Sequence, residues 1–307
     1  MNYRSIFALL ALGVSACGGG TGTDDAGVSS QLPPLEAYTE AATAFVATSA
    51  DYSCINTGTA PTGGAPIDVE FQLRDFQDGF EVPDATVWMF ADNVIANECV
   101  GACQEFTTNG MGNGGVSLPA GGWYAYRVLP FDGPTARTTV FGVFQYNEPT
   151  PATAGGSVEG NSVSGTTIDL IPALLGITRE AGRAIVAGRI HDCDDDHNIA
   201  NVQVRIFDPD GNFVEPGTST TDPNYHYFMG LVMGNVPDQT AQYSSSDGLY
   251  VVPQVPLVDD RPYRVEAWAN LDGVDQRVSC ESARIFTDSI TILNLGPMRA
   301  DPDPACL

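Results

Sequence analysis

The stretch His191-Asp-Cys-Asp-Asp-Asp-His-Asn198 sets side-chain oxygens at alternate positions, Asp192, Asp194, Asp196 and Asn198, with His191, His197 and Cys193 among them. Hard carboxylate and amide oxygens at this spacing imitate the first half of a calcium loop. An EF-hand is excluded: His197 stands at the sixth position, which needs glycine, and Gln203 stands where a bidentate glutamate would close the loop. Two readings stay open, a weak, exposed calcium site and a hairpin turn whose Asp and Asn side chains bond their own backbone. The turn is the expected one. Asp208-Pro-Asp-Gly-Asn212 is a second hairpin signal with a fainter metal character.

Catalytic chemistry has little to stand on. The histidines are His191, His197 and His226, and neither G-x-S-x-G nor H-E-x-x-H occurs. Nothing favours a Ser-His-Asp triad. All 13 basic residues are arginine, so the absence of lysine removes Schiff-base chemistry and the P-loop. Tyr225-His226-Tyr227 and the later Asp247-Gly-Leu-Tyr250 resemble, in order, part of the two-tyrosine, two-histidine iron site of intradiol ring-cleavage dioxygenases. Where that family has a histidine pair, after Arg261-Pro262, this chain has Tyr-Arg-Val-Glu, and an iron site without those nitrogens fails. Trp88, Trp123 and Trp268 invite a sugar platform but sit in strand-like stretches where aromatics are ordinary. The chain is therefore expected to be non-enzymatic, with no cofactor beyond the candidate calcium.

The elements that must position these residues form a repeat. Residues 69–90 align without a gap on 186–207 at an offset of 117, both reading as strand, acidic turn, strand with alternating apolar positions. A second anchor pairs 116–128 with 250–265, and a third pairs Thr166-Thr-Ile-Asp-Leu-Ile-Pro172 with Thr291-Ile-Leu-Asn-Leu-Gly-Pro297. In copy one the acidic turn keeps Asp75 but has Gln77 and Gly79 for two of the other oxygens, so the shared element is the turn. The expected fold is all-β: two tandem antiparallel β-sandwiches, 66–177 and 178–307, each built of short strands between Gly, Pro and Asp turns. Copy two carries a net insertion of 17 residues within 213–246. Its apolar stretch, including Tyr225, Tyr227, Phe228 and Met229, is expected to fold over the sandwich or fill the seam between domains, with an exposed partner surface as the alternative.

Ile185-Val-Ala-Gly-Arg-Ile-His-Asp192, Ile199-Ala-Asn-Val202-Gln-Val204, Ser246-Asp-Gly-Leu-Tyr250-Val-Val-Pro253 and Tyr263-Arg-Val-Glu-Ala267 resemble the carboxypeptidase regulatory-like domain. That is a prealbumin-like, or transthyretin-like, sandwich. The resemblance implies a non-catalytic companion or surface-display module of exported proteins.

Six cysteines lie beyond Cys17, an even number that reads as three disulfides in an exported protein. Economy favours Cys193 with Cys280 inside the second domain, then Cys99 with Cys103 and Cys54 with Cys306. A zinc site at Cys99 and Cys103 lacks two further soft ligands nearby.

The chain opens with Arg4 and an apolar run, Ile6 to Val14, of signal-peptide length. Val14-Ser-Ala-Cys17 resembles the lipobox of bacterial lipoproteins, which implies a signal peptide over 1–16 and an acylated Cys17. Acyl chains burying ~0.8 kcal/mol per methylene would hold the protein in a bilayer. Gly18 implies outer-membrane sorting, with the domains facing the periplasm or the cell surface. Residues 17–34 read as a flexible acidic tether, and 35–65 as a short helix over 35–47 with a lead-in to the first domain. A formal charge of −25 repels phosphate backbones, so nucleic acid is excluded as a partner. The expected partners are the bilayer and a surface protein or glycan, in a structural, adhesive or display role that could be calcium-dependent.

Overall fold

The computed structural model describes residues 51–307 except 77–78, 93–94, 97, 102, 131–141, 194–197, 229–236 and 272. The signal segment, Cys17, the tether and the expected helix over 35–47 thus lie outside the described residues, as do Asp194, Asp196, His197 and Met229.

Copy one runs β1 (Pro66–Asp75), β2 (Thr86–Phe90), β3 (Gln104–Thr107), β4 (Asn113–Pro119), β5 (Trp123–Val128), β6 (Gly142–Pro149) and β7 (Ser157–Ser162), followed by α1 (Gly165–Leu174). Copy two runs β8 (Ala184–Arg189), β9 (Gln203–Phe207), β10 (His226–Phe228), β11 (Pro237–Asp238), β12 (Leu249–Val255), β13 (Tyr263–Leu271), β14 (Val274–Ala283) and β15 (Ser289–Leu293). The 3₁₀ turn η1 (Pro304–Cys306) follows near the end.

Strand order confirms the duplication. In copy one β1 pairs antiparallel with β4 and parallel with β7, and in copy two β8 pairs antiparallel with β12 and parallel with β15. The opposing sheets also correspond, β6-β5-β2 and β14-β13-β9. The two acidic turns close on equivalent bridges, Arg74 with Glu81 and His191 with Asn198.

The copies are not separate beads. β15 of the second pairs in parallel with β6 of the first, from Ser289 opposite Gly142 to Leu293 opposite Tyr146. One nine-stranded sheet results, ordered β11-β10-β12-β8-β15-β6-β5-β2-β3. The small sheets β4-β1-β7 and β14-β13-β9 lie on its opposite faces. Alternation along β8 shows this: Val186 enters the core with β9 and β13, whereas Ile185 enters the core with β1 and β4. Phe90 and Ala125 of copy one join the core of copy two, and Val251 and Ile290 of copy two join that of copy one. Phe90, Val251 and Ile290 each contribute roughly 1.5–3 kcal/mol on burial, so the joint is apolar as well as hydrogen-bonded.

The third sequence anchor fails. Thr166–Pro172 lies in α1, and the structural counterpart of β15 is β7. Ile168, Ile171 and Leu175 follow helical spacing and pack on the same core, and the Ser164 side chain caps the first turn by accepting the Thr167 N–H. Gly176, at φ 68°, ends the helix: its N–H and that of Ile177 return to the carbonyls of Ala173 and Pro172.

Two expected disulfides are also corrected. Cys54 bonds Cys193 and Cys280 bonds Cys306, while Cys99 bonds Cys103 as expected. Cys193 lies in the turn beyond β8, whereas Cys280 lies on β14 of the opposing sheet. The lead-in runs instead beside Cys193, held by Asp51 N–H to Asp192 Oδ2 at 2.9 Å and Cys193 N–H to the Asp51 carbonyl at 3.0 Å. The C-terminal segment lies along the free edge of β14, with Met298 N–H on the Val278 carbonyl, so Cys306 is the neighbour of Cys280. The start of the described lead-in, from Asp51 to Gly58, therefore docks on the second copy, and its end joins the first, with Gly64 N–H on the Ala120 carbonyl and Ala120 N–H on that of Ala65.

Candidate functional site

In the acidic stretch, Asp192 and its counterpart Asp75 are both buried and do the same task. Asp75 Oδ2 accepts the backbone N–H of Ser164, where α1 begins, and Asp192 Oδ2 accepts that of Asp51. Each holds an incoming segment against its hairpin. Asn198 closes the turn opposite His191, and His191 Nδ1 lies 3.2 Å from the Asp192 carbonyl. Asp194 and Asp196 fall outside the described residues. Among the described residues, no group of three or more His, Cys, Asp or Glu could hold a metal ion.

The insertion adds β10 and β11 to one edge of the large sheet, next to β12. Tyr225, Tyr227 and Phe228 are buried, which corrects the alternative of an exposed partner surface there; Met229 is outside the described residues. The two tyrosines serve the free edge of β9 across the core. Tyr227 Oη accepts the Val204 N–H at 2.8 Å; Tyr225 Oη accepts the Ile206 N–H at 3.3 Å and donates to the Val214 carbonyl at 2.7 Å. Burial pushes both phenols far above the ordinary tyrosine range, and both hydroxyls are engaged by backbone groups of the core. Between them, burial lowers the imidazole of His226 to a pKa of about 4.

The tryptophans are likewise occupied. Arg127 lies 4.9 Å over Trp88, Arg205 4.4 Å over Trp268 and Arg299 4.8 Å over Trp123. One face of each ring is covered by a guanidinium.

One site escaped the sequence reading. Where α1 and the edge of β7 overhang the copy-two half of the large sheet, a cavity of about 440 Å³ opens, within the range typical of small-molecule pockets. Its floor is Ile185, Ala187, Leu249, Val251, Ile290 and Ile292. At one end the lining turns polar. Asn161 Nδ2 donates to Gln145 Oε1 at 3.2 Å, Gln145 Nε2 donates to Glu148, and Asn294 Nδ2 donates to Glu148 Oε1 at 3.1 Å. Arg74 Nε lies 3.5 Å from Glu159, and Arg189 borders the same end. Tyr126 donates to Gln145, and Tyr124 Oη donates to the Glu159 carbonyl at 3.1 Å. Burial, then the charge of Glu148, raises both phenols well above their usual range and keeps them protonated donors. The available signal was the substitution between copies: Asp68 and Glu70 on the outward row of β1 become Ile185 and Ala187 on β8.

Fold and site together define a tandem β-sandwich protein joined through one continuous sheet. No protein-family model matches the chain, and no curated protein does. Among solved structures it is similar to the TIE protein of Bacillus anthracis, at 12% identity and a TM-score of 0.21 over 75% of this chain, which spans 33% of that one. It is also similar to the shaft pilin SpaA of Lactobacillus rhamnosus GG, at 12% identity and a TM-score of 0.22 over 76% of this chain and 98% of the pilin. GBS52, the minor pilin of Streptococcus agalactiae, shares 9% identity at a TM-score of 0.22 over 78% of this chain and 98% of its own. At these scores the likenesses carry no weight for function.

Proposed function

We propose that this is a non-catalytic lipoprotein of the outer membrane, anchored through an acylated Cys17, that displays a rigid pair of β-sandwich modules for a binding or structural role. The observation that supports it most is the parallel pairing of β6 with β15, which makes the two copies one body. A linker-joined pair would move as independent domains; a shared sheet projects both at a fixed geometry. The lipobox at Val14–Cys17 and the carboxypeptidase regulatory-like resemblance of the second copy point the same way. Tyr225, His226 and Tyr227 are spent on the core, and the surface open to a partner is that of the loops.

The test is fractionation of cells making the wild type or Cys17→Ala. The wild type should pellet with outer membranes and incorporate labelled palmitate, and the variant should do neither. Equal distribution of the two would end the anchoring reading. Limited proteolysis should cut N-terminal to residue 51 and spare the joint between copies; a stable fragment of either copy alone would contradict the single rigid body.

A further inference from the structure

We propose that the cavity under α1 binds a neutral amphiphile: a single apolar chain carrying an uncharged, hydroxylated head, as in a monoacylglycerol or an alkyl glycoside. This goes beyond the display role and does not depend on the anchor. The floor has a polarity gradient along its strands. On β8 the cavity-facing row runs Ile185, Ala187, Arg189, and beside it the row of β15 runs Ile290, Ile292 and then Asn294. At ~3.3 Å per residue, four residues give a slot of roughly 13 Å, apolar at one end and polar at the other. α1 roofs the apolar end with Ile168, Ile171 and Leu175.

Apolar side chains lining such a space favour an apolar occupant over water. The polar end selects the head. It offers the amides of Gln145, Asn161 and Asn294, two carboxylates, Glu148 and Glu159, and two guanidiniums, Arg74 and Arg189. The formal charges cancel, so an anionic head meets the carboxylates and a cationic head meets the guanidiniums. A hydroxylated head can donate to the carboxylates and accept from the amides and guanidiniums without burying an unpaired charge.

The test is calorimetric titration of the purified full chain with 1-monodecanoylglycerol, decanoate and decyltrimethylammonium, each below its micelle concentration. The neutral compound should bind saturably, one per chain, at least tenfold more tightly than either ion. Ala187→Trp, which fills the floor, should weaken it tenfold or more while the melting midpoint stays in place. If that variant melts early, Ile292→Phe takes its place. Absence of saturable binding, equal affinity for a charged analogue, or undiminished affinity in a stable filled variant each overturns the proposal.

Discussion

Tyr227 on β10 reaches through the core of the second copy to accept a 2.8 Å hydrogen bond from the backbone N–H of Val204 on β9. β9 ends its sheet, and its unpaired N–H groups face the inserted segment. A buried backbone donor left without a partner costs about 1–3 kcal/mol. Tyr227→Phe should lose about that much stability in urea titration with an unchanged slope. Tyr225→Phe should lose more, because it orphans the Val214 carbonyl as well as the Ile206 N–H. A midpoint indistinguishable from wild type in both would remove the capping role.

His226, between those tyrosines, is buried and has a pKa depressed to about 4. Its unfolded pKa is ~6.5. Between the two values the unfolded chain binds the extra proton, so stability falls as pH drops from about 6.5 towards 4, by at most ~1.4 kcal/mol per pH unit. The stabilisation is whole above about 6.5. In NMR the His226 ring should stay neutral down to about pH 4.5, and His226→Leu should flatten this part of the stability curve. A ring titrating near 6.5 in the folded protein would contradict the burial argument.

The disulfides should differ widely in weight. In the chain-entropy account, a bridge across 139 residues constrains the unfolded state by about 5 kcal/mol, and one across four residues by about 2. Cys54→Ser with Cys193→Ser should therefore lower stability by about 3 kcal/mol more than Cys99→Ser with Cys103→Ser. Peptide mapping without reduction should recover Cys54 linked to Cys193 and Cys280 to Cys306. A peptide joining Cys193 to Cys280 would restore the pairing that sequence economy suggests.

What the sequence shows and hides has a physical pattern. Alternation within 69–90 and 186–207 reveals the paired strands, because a half-buried strand writes its burial with period two. The helix α1 hides behind Thr166, Thr167 and Ile168, β-branched residues with strand character, until Ser164 as cap and Gly176 as terminator are considered together. The disulfides hide because sequence separation says nothing of which sheet edge a lead-in will follow. The joint itself was partly legible. Ala184–Gly188 is apolar throughout, which marks a strand covered on both faces, whereas β1 alternates Asp68, Glu70 and Gln72 with Val69, Phe71 and Leu73. The buried Tyr225 and Tyr227 hide best, since an aromatic run reads equally as core, seam or exposed patch.

Calcium should contribute nothing to stability. Asp192, the first of the four alternate oxygens, is buried and holds the Asp51 N–H, and its equivalent Asp75 performs the same task with Gln77 and Gly79 in the places of Asp194 and Asp196. The melting midpoint should be the same in millimolar calcium and in excess chelator. A rise with calcium that Asp194→Asn and Asp196→Asn abolish would reinstate the metal site.

The joint between the copies pairs unlike edges, β6 of one with β15 of the other, and a contact of that kind can in principle repeat without closing. The equivalent edges at the two ends of the molecule are β14 and β7. Both are covered. On β14 the C-terminal segment is fixed by the Cys280–Cys306 bond, by Met298 N–H on the Val278 carbonyl and by Arg299 on Glu281 at 2.5 Å. On β7 the hydroxyls of Tyr124 and Tyr126 reach the backbone of Glu159 and Asn161. Exposed strand edges template further pairing, so these covers hold the array at two copies. Freeing one end should not suffice, because growth needs both. Cys280→Ser with Cys306→Ser should remain monomeric in sedimentation velocity, as should Tyr124→Phe with Tyr126→Phe. The four substitutions combined should give a concentration-dependent ladder of oligomers that keeps its β-sheet circular dichroism. A combined variant that stays folded and monomeric at high concentration would show that the edges lack the complementarity the internal joint suggests.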